Sequence, residues 1–142
     1  MVTTLVAGYG RGPVLRLDEP LSFWGGVDTA TGVIVDRHHP QAGETVTAKV
    51  LVMAHSRGSS STSSVIAEMV RAETAPAAVV LLDRDPVIVL GAVVARELYG
   101  RAMPVVVVDA DRYERVAAFR FAEVLPGAVR EVGHTISSEM HG

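Results

Sequence analysis

The apolar positions of the chain fall into short runs with the period of a β-strand and longer runs with the period of a helix. The strand-like runs are rich in valine and leucine and are bounded by glycine, proline or polar residues. They cover residues 2–7, 14–17, 32–35, 45–53, 77–82 and 104–108. The first two flank a glycine-rich turn, so we expect them to form an antiparallel ribbon. Residues 105–108 are apolar without interruption, which predicts a strand buried on both faces.

Helical spacing of apolar residues begins after a serine-rich segment and returns twice. The helix formers in the second half of residues 86–99 outweigh its β-branched residues, so this segment is predicted to be helical. Helices are predicted at residues 65–74, 86–99 and 111–116. A closing hairpin is predicted from residues 120–125 paired with residues 128–132. Strands joined through helices predict parallel pairing in the C-terminal half, and therefore an α/β fold.

Length and composition predict one globular domain over residues 1–142. The chain has 142 residues, 49% of them apolar and 20% charged, which is enough to bury one core but not two independent ones. We find no linker, repeat or domain boundary. The tail, residues 133–142, is expected to be ordered only against another surface.

Charge and residue usage exclude several classes of function. The net charge of −3, with Lys and Arg scattered singly, and the 5% aromatic content argue against nucleic-acid binding. The chain has no Cys, so it cannot ligate zinc or an iron–sulfur cluster through cysteine. Residues 1–12 lack the pattern of a signal peptide, and no apolar run approaches the ~20 residues of a membrane span. We therefore expect a cytoplasmic location.

Six consecutive hydroxyl residues, 59–64, stand between a predicted strand and a predicted helix, and Arg57 and Gly58 precede them. A glycine turn that leads from a strand into a helix points backbone N–H groups at one spot, where the helix dipole adds partial positive charge. We therefore expect an anion to bind here. The segment lacks the lysine of a Walker A loop and the second glycine of a nucleophile elbow. Its serines also suit a plain N-cap and first turn, with Ser63 and Ser64 exposed.

Glycines and histidines in the first third of the chain have structural interpretations. Gly25 and Gly26 suit a tight turn, and glycines also let a ligand or a partner backbone approach closely. His38 and His39 are interpreted as solvated, because adjacent histidines point apart and no third metal ligand lies at a diagnostic spacing.

Three further polar residues lie near predicted strand ends. His55 is close in sequence to Ser59 and is interpreted as a polar histidine that is satisfied by hydrogen bonds. Asp83 and Asp85 follow a strand, at the edge where open α/β sheets place ligands. They also suit an ordinary loop and helix cap, so both interpretations stay open.

Several strings of the sequence together resemble the small, swivel-domain component of the aconitase X family. The most specific are Ser-Phe-Trp-Gly-Gly-Val-Asp at residues 22–28 and the Arg-Gly-Ser turn at residues 57–59. The resemblance covers most of the chain from about Gly8 to Val108. It implies the swivelling β/β/α fold of the aconitase swivel domain, with a β-barrel-like layer and flanking helices.

This resemblance implies a subunit of a two-component dehydratase, a hydro-lyase. A large subunit would hold an iron–sulfur cluster or related metal and form a heterodimer or higher assembly with this chain, which itself would bind neither metal nor cofactor. The family's catalytic serine falls on Ser59, as the general base that removes the proton α to a substrate carboxylate, while the metal acts on the departing hydroxyl. The implied substrate-binding residues are Arg57, Gly58, Ser60, Gly25, Gly26 and Asp28.

Two substrates are associated with the family, cis-3-hydroxy-L-proline and 5-phosphomevalonate. The high Ala, Val, Arg and Gly content is typical of a GC-rich bacterial genome, which favours the proline derivative. Related sequences often continue the turn with a small apolar residue and a glycine, whereas residues 60–63 are Ser-Ser-Thr-Ser, a departure that bears on the substrate preference and not on the base. A non-catalytic anion-binding or regulatory module is the alternative class of function.

Overall fold

The computed structural model describes residues 1–58 and 60–133. Ser59 and residues 134–142, which make up nearly all of the tail, lie outside the described residues. The strands and helices within the described ranges are, in chain order, β1 Val2–Val6, β2 Gly10–Arg16, α1 Phe23–Gly26, β3 Val50–Met53, α2 Ser61–Ala72, β4 Ala78–Leu81, α3 Pro86–Tyr99, β5 Val105–Val108, α4 Ala110–Ala117, β6 Phe121–Leu125 and β7 Ala128–Glu131.

The strands form one sheet in the order β1-β5-β4-β3-β2-β6-β7. The four strands β5, β4, β3 and β2 are parallel, which confirms the prediction for strands that are joined through helices. β6 and β7 form the predicted antiparallel hairpin, and β6 extends the sheet beside β2. The turn after β6 reaches back to the far end of the sheet, where the Gly127 N–H donates to Oγ1 of Thr4 at 2.8 Å. The sheet is therefore a nearly closed, barrel-like layer with flanking helices, as predicted.

The strands β3, β4 and β5 are buried on both faces, and the core accordingly has two parts. On one face, alternate residues of β3 and β4 pack with Ile66 and Met69 of α2 and Ile88 of α3. On the other face, the intervening residues pack with Tyr113 of α4 and Val124 of β6. β5 follows the same pattern, because Val105 lies in the first cluster and Val106 and Val108 in the second. This confirms the strand predicted to be buried on both sides.

Local signals set the boundaries of α3. The Asp85 side chain accepts hydrogen bonds from the N–H groups of Val87 and Ile88, and Pro86 occupies the first helical position, where its missing N–H costs nothing. At the other end, Gly100 adopts a left-handed φ of 66° and closes the helix. The predicted range 86–99 is therefore confirmed at both ends.

The predicted ribbon between the first two strands is wrong. β1 pairs with β5 instead, and β2 pairs with β3 and β6. The glycines that suggested a turn lie inside β2, where neighbouring backbone comes unusually close. A Cβ atom at Gly10 would lie 2.1 Å from the carbonyl oxygen of Ala77, and one at Gly12 would lie 2.1 Å from that of Ala48. These glycines permit close approach of other chain segments rather than a reversal of the chain.

The predicted strand over residues 45–53 is too long, since only Val50–Met53 forms β3. Ala48 has a left-handed φ of 60°, and the Lys49 N–H donates back to the carbonyl of Val46, so the chain turns before the strand begins. Residues 32–35 likewise form only isolated bridges, from Ile34 to Val27 and from Val33 to Thr45.

Within residues 1–58 and 60–133, no helix is both long enough and apolar enough to cross a lipid bilayer.

Candidate active site

The two most specific strings of the sequence meet at the turn between β3 and α2. The Arg57 N–H donates to the carbonyl oxygen of Leu21 at 3.0 Å, and Leu21 and Ser56 form a parallel bridge. Residues 22–28 therefore begin directly beside Arg57 and Gly58, although more than thirty positions separate them along the chain. This contact defines the candidate active site as residues 56–58 and the start of α2 at Ser60, together with residues 21–26.

Gly58 is an exposed residue that only glycine can occupy without strain, because its φ is 117°. A Cβ atom there would lie 3.0 Å from Oγ of Ser22 and 3.7 Å from Oγ1 of Thr62. The Ser22 hydroxyl is directed by its bond to the carbonyl oxygen of Trp24 at 3.0 Å. Two hydroxyl groups thus flank the glycine that precedes Ser59.

The start of α2 carries no compensating negative charge among the described residues. Ser60 is the N-cap residue, but its side chain makes no capping bond, and the first turn contains no acidic residue. By contrast, α3 and α4 begin at Asp85 and Asp109, whose carboxylates accept first-turn N–H groups. The partial positive charge of the α2 N-terminus therefore faces a turn that contains the exposed Arg57. An anionic group is favoured at this position.

Thr62 is a polar residue on α2 with no access to solvent. Its Oγ1 has no hydrogen-bond partner within the part of the chain that the structure describes, and it faces the position of Gly58. Burial of an unsatisfied hydroxyl is unfavourable by roughly 1–3 kcal/mol. In the sequence, Thr62 stands out only as a member of the serine-rich segment, because its burial depends on the packing of α2.

Asp85 links the candidate active site to α3. Besides capping α3, its carboxylate accepts hydrogen bonds from the backbone N–H of Ser56 at 2.7 Å and from the Ser56 hydroxyl at 2.6 Å. Of the two interpretations left open for Asp83 and Asp85, the cap is confirmed for Asp85. The additional bond to Ser56 was not predicted, because the two residues are 29 positions apart. Asp83 is exposed, and its backbone N–H donates to Ala54.

The remaining predicted binding residues lie at different distances from the turn. Gly25 is exposed, with a φ of 81°, and follows Trp24 at the site. Gly26 is buried, and its carbonyl oxygen accepts from the N–H groups of residues 35 and 36. Asp28 uses its carboxylate to cap its own turn at Ala30. That turn is held by the bond from Thr74 to Thr29, beyond the C-terminal end of α2 and so away from Arg57 and Gly58.

The histidines differ in burial. The interpretation of His39 as solvated is wrong: the residue is 6% exposed, with Nε2 2.9 Å from the carbonyl oxygen of Glu19 and Nδ1 accepting from the Gln41 N–H. His38 is exposed, as predicted. His55 is also exposed, and its Nδ1 lies 2.8 Å from the carbonyl oxygen of Ser56. No group of three or more His, Asp or Glu residues among those described could hold a metal ion.

Comparisons with known proteins identify the family of this chain. The family model for the aconitase X swivel domain matches residues 1–131. Cis-3-hydroxy-L-proline dehydratase of Pseudomonas aeruginosa is 40% identical over 124 residues, which cover 87% of this chain but 21% of that protein. Phosphomevalonate dehydratase small subunit of Methanothermobacter thermautotrophicus is 49% identical over 88 residues, 62% of this chain and 67% of that subunit. The chain thus spans about a fifth of the length of one relative and two thirds of the other.

Solved structures show the same fold. The crystal structure of Thermococcus kodakaraensis aconitase X in its holo-form superposes with a TM-score of 0.78 and 26% sequence identity, covering 92% of this chain and 95% of that chain. A solution NMR structure of a UPF0107 protein gives the same TM-score at 25% identity. The family match extends from β1 to β7 and includes both strings that form the candidate active site. The chain belongs to the aconitase X swivel domain family.

Proposed function

We propose that this chain is the small subunit of a two-component hydro-lyase that dehydrates a hydroxy acid, with Ser59 as the general base. The observation that carries the proposal is the contact of Arg57 with Leu21, which brings the two family-specific strings together at a helix N-terminus whose N-cap residue, Ser60, makes no side-chain capping bond. Relatives that carry the same domain are named as dehydratases or dehydratase subunits.

The proposed reaction is removal of water across a carbon–carbon bond. The Ser59 oxygen takes the proton from the carbon α to the carboxylate, and the electron pair of that C–H bond becomes the new C=C bond. The hydroxyl on the adjacent carbon leaves with its bonding electrons and takes a proton from the solvent to become water. Ser59 then releases the proton that it abstracted to the solvent, so the net products are the alkene and one water. A serine hydroxyl is a very weak acid, so the α2 dipole and the neighbouring N–H groups are needed to stabilise its ionised form.

The substrate carboxylate is proposed to bind at the same helix start. Arg57 supplies a full positive charge, while Gly58 and Gly25 leave the turn open on its exposed side. Ser60, Gly26 and Asp28 complete the proposed binding set. In the structure, the Asp28 carboxylate caps its own turn by accepting from the Ala30 N–H.

The metal chemistry is proposed to come from a large subunit. The chain has no Cys, and its described residues contain no cluster of metal ligands, so the residues present do not fit a cluster or metal of their own. The proposed partner is an aconitase X large subunit that holds an iron–sulfur cluster or related metal. The isolated chain is then expected to show no dehydratase activity.

Cis-3-hydroxy-L-proline is the proposed substrate. The dehydratase named for it matches 87% of this chain at 40% identity. The second candidate is phosphomevalonate, which is favoured by the 49% identity to a subunit that is itself a separate small chain. Assays of the reconstituted pair with both compounds distinguish these two candidates.

The test of the general base is Ser59→Ala in the complex of this chain with its large subunit. We expect the turnover number to fall by about 10²–10⁴-fold, because a positioned base contributes this much, while the substrate still binds. The matched control is Ser64→Ala, since Ser64 is exposed on α2 and should be neutral. Near-normal turnover of Ser59→Ala would contradict the assignment. A wild-type pair that is inactive with both substrates would contradict the proposed reaction.

A further inference from the structure

The carboxylate of Asp85 makes more hydrogen bonds than a helix cap requires. Its Oδ1 accepts from the N–H groups of Val87 and Ile88, each at 3.2 Å, and this is the whole of the capping interaction. Its Oδ2 is engaged separately by the N–H and the hydroxyl of Ser56. The residue is only 6% exposed, so both oxygens are satisfied almost entirely by the protein.

The cap of α4 shows what capping alone needs. Asp109 begins that helix and accepts from the Arg112 N–H at 2.8 Å, yet its side chain is half exposed. Among the described residues, the Asp109 carboxylate bonds only to Met1 and Arg112, and not to the turn before α2 or to residues 21–26. Burial is therefore not needed to start a helix in this fold. The second oxygen of Asp109 pairs with the N-terminal ammonium of Met1, whereas that of the buried Asp85 accepts from Ser56.

Ser56 is held from two sides. On one side, the Asp85 carboxylate accepts from the N–H and the hydroxyl of Ser56. On the other side, Ser56 forms a β-bridge with Leu21, and the next residue, Arg57, donates to the Leu21 carbonyl oxygen. Hydrogen bonds to a charged acceptor are about twice as strong as neutral ones, and the 2.6 Å distance from the hydroxyl is typical of this class. The position of Ser56 thus fixes the exit of the chain from β3 into the candidate active site.

We infer that Asp85 and Ser56 are positioning residues for the candidate active site: the carboxylate on α3 holds the turn at Arg57 and Gly58 in place through Ser56. This inference rests on the proposed function for its effect on catalysis, but the link itself is independent of that function. A displacement of about 1 Å in a reacting group is enough to lower a rate by roughly 100-fold, so loosening of this turn is expected to act on turnover.

The catalytic test uses Ser56→Ala and Asp85→Asn in the complex with the large subunit. We expect kcat to fall about 10-fold or more with KM changed by less than about twofold, because the turn still forms but is held less firmly. Ser56→Thr retains the hydroxyl and should restore most of kcat. Asp109→Asn is the matched control, since it weakens a helix cap away from the turn and should leave kcat unchanged.

A second measurement keeps the inference separate from the proposed function. The Arg57 N–H is hydrogen-bonded to Leu21, and its exchange in the full chain should become about 10-fold faster in Ser56→Ala and should be unaffected in Asp109→Asn. Unchanged exchange and unchanged kcat in Ser56→Ala would overturn the inference, even if Asp85→Asn fails to fold. If Ser59→Ala keeps its turnover while Ser56→Ala exchanges faster, the general base is wrong and the positioning link stands.

Discussion

At the scale of single residues, burial decides the role of a side chain more than its chemical type does. His39 lies in a polar segment and His55 follows an apolar strand, yet the first is buried and bonded through both ring nitrogens while the second is exposed. The partner of His39 Nε2 is the carbonyl of Glu19, twenty positions away. Such a partner cannot be identified from the neighbours of a histidine along the chain.

Tyr113 provides a prediction at this scale. Its side chain is buried, and burial raises the pKa of its phenol above the ordinary value of 10.0. The unfolded chain therefore loses this proton more readily than the folded one, so stability that is fully present below pH 10 should decline as the pH rises through the folded-state pKa. Tyr113→Phe should remove this decline, as measured by the free energy of unfolding between about pH 9 and 12.

The control for this measurement is Tyr9→Phe, because the Tyr9 side chain is half exposed. It should leave the alkaline decline in place. Ultraviolet absorbance of the folded wild-type protein should show one phenol fewer ionising in the ordinary range than absorbance of the unfolded chain. Ionisation of Tyr113 at or below pH 10 would contradict the prediction.

At the scale of elements, α2 and α3 pack closely because α3 contains a glycine at their contact. A Cβ atom at Gly91 would lie 2.7 Å from Cβ of Ile66 and 2.9 Å from the carbonyl oxygen of Ser63. Ser63 is in the first turn of α2, so this contact also sets the depth at which the start of α2 lies against α3. Helix propensity alone disfavours glycine here by about 1 kcal/mol relative to alanine.

Gly91→Ala should therefore destabilise the protein, although alanine is the better helix former. We expect a net loss of about 1–3 kcal/mol, since the overpacked contact forces the two helices apart. Chemical denaturation measures the change. Leu90→Ala is the matched control, because Leu90 is the adjacent residue and is 52% exposed, so its loss should be small. A Gly91→Ala variant as stable as the wild type would show that the contact relaxes freely.

At the scale of the whole molecule, β2 joins the parallel part of the sheet to the antiparallel hairpin of β6 and β7. It is parallel to β3 and antiparallel to β6, and its glycines let the backbone of residues 48 and 77 pass against it. Closure of the sheet depends on this strand, because the hairpin of β6 and β7 attaches to the parallel core through it. The candidate active site lies beyond β3, the direct neighbour of β2.

Gly12→Ala should disrupt this junction. The added Cβ would meet the Ala48 carbonyl oxygen at 2.1 Å. Gly12 is paired with Ala122 in the sheet and the Ala48 N–H donates to the Ala75 carbonyl oxygen, so neither backbone segment can move away easily. We expect a loss of roughly 3 kcal/mol or more, or failure to fold, by thermal or chemical unfolding. Arg11→Ala, at the exposed neighbouring position, should cost less than about 1 kcal/mol. Equal stability of the two variants would contradict the role assigned to Gly12.

Much of the second half of the fold was predictable from sequence. The parallel strands, α3 and the closing hairpin were all confirmed, because apolar periodicity and the caps at Asp85 and Gly100 act between residues only a few positions apart. The first half was less predictable. A glycine is expected both in a turn and where two backbones come close together. The sequence around Gly10 and Gly12 therefore could not distinguish a chain reversal from a crowded strand.

The sequence by itself determined the family, the helix and strand order after β3, and the segment in which the anion site was predicted, because motifs and periodicity are local properties. Only the tertiary structure decided that residues 22–28 lie beside Arg57, that β1 pairs with β5, and that Asp85 holds Ser56. These contacts join residues separated by tens of positions. They depend on how the sheet curls and where backbone can approach backbone, which no stretch of sequence specifies alone.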